Sequence, residues 1–317
     1  MKSYLSAALV AFFLSLAFCF ALIPVLRKLK AGQNILSYVK EHKGKSGTPT
    51  MGGLAFVLSA MLAEGIFLRG ADRTAIVALT VGFAYLLVGF LDDFLKKRRR
   101  ENLGLRAWQK ALFQTFAAIF AGLYCMRAGL TVLHVPFWNK SFDIGWWMFP
   151  LAVFVFLSAV NCVNLTDGLD GLAAGTCVPF FLSMGIIVLL WGGSSSLAML
   201  AFCLCGALAA YLLFNASPAS VFMGDTGSLS LGGFAACIGV LTGNALYIAV
   251  VGAMFVLSGA TVIIQVLYFK ATGGKRVFLM APVHHHFQEK GFSECKISYA
   301  YAAVTAVLGA LCVLSLL

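Results

Sequence analysis

From Ser3 to Leu26 the chain reads SYLSAALVAFFLSLAFCFALIPVL, 24 residues without one charged side chain. Wound as a helix at about 1.5 Å per residue, that stretch is longer than the ~30 Å hydrocarbon core of a bilayer. It is too long for the apolar core of a cleavable leader and has no A-x-A cleavage site. Leu16-Ala17-Phe18-Cys19 imitates a lipoprotein cleavage box, but Phe18 is too bulky and the apolar run continues past it. A retained first membrane span is expected.

Further spans are expected at about 51–68, 74–91, 107–126, 146–163, 172–191, 195–214, 226–243, 245–268 and 298–317. The whole 317-residue chain is 61% hydrophobic and 11% charged, whereas an average globular domain is about 25% charged. A soluble domain, a disordered chain and a peripheral protein with a single anchor are all excluded. A membrane β-barrel is excluded too, because the apolar runs are unbroken and do not alternate with period two. The eighth segment is short and glycine-rich, and reads either as a span or as a re-entrant hairpin.

Charge selects between those readings. The net charge is +11, and in a membrane protein such an excess marks the cytoplasmic loops before it marks a nucleic-acid partner. With ten spans, one side carries 18 of the Lys and Arg residues and the other five, Lys2, Arg69, Arg73, Arg127 and Lys140. If the eighth segment does not cross, the split falls to 13 against 10. The expected fold is therefore all-α, a polytopic integral membrane protein of about ten transmembrane helices with both termini on the extracytoplasmic side. Residues 1–317 read as a single domain. The nine cysteines form no zinc-type pair, and most sit inside apolar runs as small core hydrophobes.

Nine of the twelve acids share the basic side, and several end spans: Asp92 and Asp93 after the third, Asp167 and Asp170 after the fifth, Asp225 before the eighth. Carboxylates at the edge of the hydrocarbon are costly and commonly mark a site; helix capping is the plainer reading, above all for Asp225. Asp92 and Asp93 are expected at a helix C-terminus, where the macrodipole disfavours anions. Something cationic has to offset them: the run Lys96-Lys97-Arg98-Arg99-Arg100, Lys110, or a divalent metal. The basic run also reads as a simple topology anchor. Neighbouring helical residues point about 100° apart, so the two acids are expected to divide the work, one reactive and one supporting.

The same face holds His284-His285-His286, whose spacing matches no helical zinc site and suits phosphate or nucleotide contacts in an ordered loop. Lys45-Ser46-Gly47-Thr48-Pro49-Thr50-Met51-Gly52-Gly53 lacks the first glycine of a P-loop, since Val39 stands there, yet its backbone N–H groups and Lys45 suit an anion. Asn215 reads equally as a functional amide or a turn starter. Oxygen donors with few sulfurs suit Mg²⁺ or Mn²⁺, which share their coordination with substrate phosphates. Phosphoryl transfer onto a lipid phosphate is the chemistry these parts can support.

Thr48-Pro49-Thr50-Met51-Gly52-Gly53, Leu91-Asp92-Asp93, Asn164 to Gly171, Phe222 to Ser228 and Pro282 to His286 together resemble the phospho-N-acetylmuramoyl-pentapeptide-transferase family, from the first span to the last. The resemblance implies transfer of phospho-MurNAc-pentapeptide from UDP-MurNAc-pentapeptide to undecaprenyl phosphate, giving lipid I and UMP in peptidoglycan synthesis. It implies Mg²⁺ as cofactor and a multi-pass protein of the bacterial inner membrane with its site on the cytoplasmic face. It also implies a homodimer, nucleoside antibiotics as inhibitors, and no nucleic acid. By the same resemblance Asp92, Asp93, Asp225 and His285 are catalytic, and Asp225 with Asn164 holds the metal. Lys45, Thr50, Lys110, Asn164, Asp167, Gly168, Leu169, Asp170, Asn215, Phe222, Gly224, Ser228, His284, His285 and His286 bind substrate. Two rivals are a polyprenyl-phosphate GlcNAc-1-phosphate transferase and a nucleotide-sugar transporter or lipid flippase. Against the second, the acids gather at one face and no internal repeat is visible.

Overall fold

The computed structural model describes residues 2–29, 47–68, 72–99 and 104–317. Helices α1 (Lys2–Lys28), α2 (Gly53–Phe67), α3 (Arg73–Arg99) and α4 (Ala107–Ala128) come first. Strands β1 (Val132–Val135) and β2 (Lys140–Asp143) pair antiparallel, with Val132 opposite Asp143 and Val135 opposite Lys140. Then follow α5 (Met148–Thr166), α6 (Leu172–Leu190), α7 (Ser195–Asn215), α8 (Gly224–Leu241), α9 (Ala245–Val251), α10 (Ala253–Ala271), α11 (Val283–Glu289) and α12 (Glu294–Leu314). Among the described residues, eight helices are long and apolar enough to cross a membrane: α1, α3, α4, α5, α6, α7, α10 and α12.

The eighth segment is one continuous helix, not a re-entrant hairpin, and its low apolarity has a physical cause. Every residue of α8 from Thr226 to Leu241 is buried, so α8 faces protein on all sides and needs no lipid-compatible surface. Small residues let its neighbours come close. A Cβ on Gly53 of α2 would stand 2.3 Å from the Gly227 nitrogen, and one on Gly89 of α3 would stand 2.1 Å from the Asp225 carbonyl oxygen. These two crossings bring α2 and α3 onto the first turn of α8. On the outer helices large apolar side chains stay exposed, among them Phe13, Phe116, Phe154, Leu213 and Ile263. Such faces are stable against lipid rather than water.

Two expectations need correction, and one element was not foreseen. The span expected at 245–268 is broken at Gly252 into α9 and α10; a Cβ there would come 2.5 Å from the Ile248 carbonyl oxygen. The connection after α4 holds a β-hairpin that local hydropathy did not show. Finally, α3 does not end at Asp93 but runs on to Arg99. The basic last turn, Lys96 to Arg99, complements the helix dipole and carries the helix almost two turns past the acids. Six of the nine cysteines are buried, as small core hydrophobes should be.

Candidate active site

Asp92 and Asp93 project from consecutive positions of α3 and meet different partners. Asp93 faces α8, where its Oδ2 accepts the Thr226 N–H at 2.9 Å and the Thr226 hydroxyl at 2.6 Å. Its Oδ1 accepts the Asp225 N–H at 3.3 Å. The residue preceding α8, Met223, supplies no side-chain cap, so a carboxylate from another helix satisfies these orphan N–H groups. Asp92 faces α4. Its Oδ1 accepts the Leu105 N–H at 2.7 Å, and its Oδ2 lies 2.6 Å from Lys96 Nζ and 2.9 Å from Lys110 Nζ.

The same two ammonium groups reach Asp225, Lys110 at 2.5 Å and Lys96 at 3.2 Å from Oδ2. Asp225 Oδ1 takes a hydrogen bond from Asn164 Nδ2 at 3.1 Å, and Asn164 Nδ2 also donates to Ser228 Oγ at 2.8 Å. One candidate ligand atom from each of Asp92, Asp93 and Asp225 lies within 4.8 Å of the others. Three carboxylates, two of them fully shared with two lysines, leave one net negative charge. That cluster can hold a metal: its donors are hard carboxylate oxygens, and the two ammonium groups occupy positions a cation favours. Asp93 is the least available ligand, because both its oxygens face the start of α8.

The remaining motifs join this cluster through backbone pairing and close contact. The Phe222 N–H donates to the Pro49 carbonyl at 2.8 Å, and the Gly52 and Gly53 N–H groups donate to the carbonyls of Phe222 and Met223 at 2.9 and 3.1 Å. The lead-ins to α2 and α8 are therefore zipped together, which puts the Thr50 hydroxyl against Gly224: a Cβ there would lie 2.6 Å from Thr50 Oγ1. Lys45 lies outside the described residues.

Asp167 follows the last residue of α5, and burial pushes its carboxyl up to about 8, reinforced by the charges of Asp225 and Asp93. At Gly168 a Cβ would lie 2.4 Å from His284 Nε2 and 3.0 Å from His285 Nε2, so only glycine lets α11 close over this segment. His284 is fully buried, neither ring nitrogen has a hydrogen-bond partner among the described residues, and desolvation lowers it to about 3. His286 turns aside and accepts the Leu279 N–H on Nδ1 at 3.1 Å.

Three of the expected binding residues point inward. Leu169 packs with Leu172, Val283, Ile297 and Tyr301. Asn215 Nδ2 donates to the Val221 carbonyl at 2.9 Å, and Asp170 Oδ2 accepts the Ala219 N–H at 3.0 Å. Their side chains brace the loops that bear the site. Phe222 is half-buried beside them. Sequence reasoning offered the whole run Lys96 to Arg100 either as a counter-charge to the acids or as an anchor, and did not single out Lys96 as a site residue. The available signal was its spacing, four residues after Asp92 and three after Asp93, which puts all three on one side of a helix that continues. Thr226 and Glu294 were missed because their partners Asp93 and Asp170 lie far away in sequence; Gln288 pairs locally with His285 and Glu294 and was missed with them.

Residues 75–243 match the profile of Glycosyl transferase family 4, and residues 45–57 match the phospho-N-acetylmuramoyl-pentapeptide-transferase signature 1. A relative named phospho-N-acetylmuramoyl-pentapeptide-transferase from Clostridium botulinum (strain Eklund 17B / Type B) is 42% identical over 305 residues, covering 96% of this chain and 94% of its own. Relatives of the same name from Shouchella clausii and Bacillus cytotoxicus are 44% identical over 296 residues and 42% identical over 319. They cover 90% and 98% of this chain, and 90% and 97% of their own lengths.

Proposed function

This chain belongs to the phospho-N-acetylmuramoyl-pentapeptide-transferase family, and from that premise we propose how it works. It transfers phospho-MurNAc-pentapeptide from UDP-MurNAc-pentapeptide to undecaprenyl phosphate, producing lipid I and UMP for peptidoglycan synthesis. The observation that carries the mechanism is the pair of lysines bridging Asp92 and Asp225 at one end of a lipid-facing bundle.

Asp92 orients or accepts the proton of the lipid phosphate, whose oxygen attacks the phosphorus next to the sugar. A new O–P bond forms as the bond to UMP breaks. Lys96 and Lys110, seated between Asp92 and Asp225, transfer their contacts from carboxylate to phosphate oxygens, a charge-assisted exchange. Asp93 holds the first turn of α8, and with it Asp225, in place. Mg²⁺ held by Asp225 with Asn164 beside it would shield the phosphate oxygens and stabilise the leaving UMP. Thr50, Asn164, Asp167, Gly168, Phe222, Gly224 and Ser228 line the nucleotide side, with Leu169, Asp170 and Asn215 bracing it. His284 and His285 close over Gly168 on the phosphate side, and His286, turned toward Leu279, is assigned to substrate by the family resemblance.

Among the described residues ten helices run longer than a few turns, which supports ten crossings, and the 18-to-five division of basic residues supports both termini outside and a site beneath the inner leaflet. A homodimer and inhibition by nucleoside antibiotics rest on the family resemblance alone. The decisive assay supplies purified protein in detergent with undecaprenyl phosphate and either UDP-MurNAc-pentapeptide or UDP-GlcNAc. Release of UMP and lipid I from the first donor, abolished by a chelator and restored by Mg²⁺, is expected; preference for UDP-GlcNAc or no UMP at all would reject the reading. Cys295, exposed in the first turn of α12, should react with an impermeant maleimide in inverted vesicles and not in intact cells.

A further inference from the structure

The first two turns of α12 hold both the N–H and the carbonyl of one residue in the 167–171 segment. Glu294 Oε2 accepts the Asp170 N–H at 3.0 Å, and Ser298 Oγ, one turn on, donates to the Asp170 carbonyl at 2.9 Å. The other oxygen of Glu294 accepts from Gln288 Nε2 at 3.5 Å, and Gln288 Oε1 lies 3.0 Å from His285 Nδ1. A continuous path thus runs from α12 through α11 to the histidine that abuts Gly168.

The path has a direction. Glu294 sits in the first turn of α12, where the helix dipole favours its negative charge, and a carboxylate only accepts. The Gln288 NH₂ group must face Glu294, so its carbonyl faces His285. That carbonyl also only accepts, so His285 has to donate from Nδ1. With Nδ1 tied behind it, the ring presents its Nε2 edge to Gly168, where a Cβ would come within 3.0 Å.

We propose that Glu294 is a positioning residue, which acts through Gln288 to keep a proton on His285 Nδ1 and to aim the Nε2 edge across Gly168 at the sugar-nucleotide. This rests on the reading of His285 as a site residue of the transferase. The geometry joins two jobs in one side chain: Glu294 locks the 167–171 segment with one oxygen and the orientation of the histidine with the other.

Two experiments test it. In ¹⁵N spectra of histidine-labelled protein, with the His285 signals identified by their loss in His285→Asn, a protonated Nδ1 is expected; an unprotonated Nδ1 overturns the proposal. In turnover assays Glu294→Gln still accepts the Asp170 N–H but no longer dictates which way the Gln288 amide faces. Its kcat should fall about tenfold, the scale of one lost hydrogen bond, with the donor KM within about twofold. The exchange Glu294→Gln with Gln288→Glu restores an acceptor facing His285 and should recover kcat to within about threefold of the parent. A Glu294→Gln enzyme as fast as the parent overturns the proposal, as does a well-folded exchange variant no faster than the single one. An inactive parent rejects the reaction assignment instead, and the spectra then decide the relay alone.

Discussion

Asp93 of α3 caps α8 in place of a residue from α8 itself, its Oδ2 lying 2.9 Å from the Thr226 nitrogen and 2.6 Å from the Thr226 hydroxyl. The carboxylate pair is thereby split: one acid builds the site and its neighbour stands within it. Asp93→Ala should cost about 0.5–2 kcal/mol of stability, the range for a lost helix cap, and a larger share of activity, since Asp225 is the second residue of the helix released. Asp93→Asn keeps an acceptor and should lose less stability. Thermal unfolding in detergent measures both, and an Asp93→Ala protein as stable as the parent would reject the cap.

Lys110 contacts both Asp92 and Asp225. Lys110→Met should lower turnover at least about a hundredfold, the scale of removing one donor from a preorganised charge-stabilising site. UMP release under saturating donor is the measurement. Activity within a few-fold of the parent would remove Lys110 from the phosphate contacts.

Gly89 sets the approach of α3 to α8. Gly89→Ala forces a methyl group toward the Asp225 carbonyl oxygen, 2.1 Å away with no relaxation. It should destabilise the protein by about 1–3 kcal/mol and separate Asp92 from Asp225. Gly65→Ala is the control: nothing lies within 4 Å of a Cβ there, and a helical Gly-to-Ala change should be neutral or stabilising by about 0.5–1 kcal/mol.

His284 links stability to pH. Its folded value of about 3 lies below the ordinary 6.5, so between those values the unfolded chain binds more protons than the folded one. The folded state is therefore favoured above pH 6.5 and loses ground as pH falls through that window. Unfolding temperature should drop between pH 7 and pH 5, and His284→Asn should flatten that part of the profile. An unchanged slope would show that the buried imidazole is not the group responsible.

Much of this protein is legible along the chain. The helical segments are, because transferring some 20 consecutive apolar residues into lipid is a local sum that needs no knowledge of neighbours. The acids at the ends of spans stand out for the same reason, each being expensive where it lies. The sum is weakest at α8, which charge rather than apolarity marks as a span and whose glycines and hydroxyls are tolerated because it meets only protein, and it fails at Gly252, where a Cβ would meet Ile248, Phe255 and Phe180.

Sequence alone therefore determined a helical membrane protein and which polar residues gather on its basic side. Only the tertiary structure decided that Asp93 caps α8 while Asp92 shares Lys96 and Lys110 with Asp225, and that Asp170 and Asn215 turn inward to hold loops. The reason is physical: burial in lipid depends on composition within one segment, whereas a hydrogen bond or ion pair depends on where two distant segments cross. In this protein those crossings are set by glycines that let α2 and α3 close upon α8.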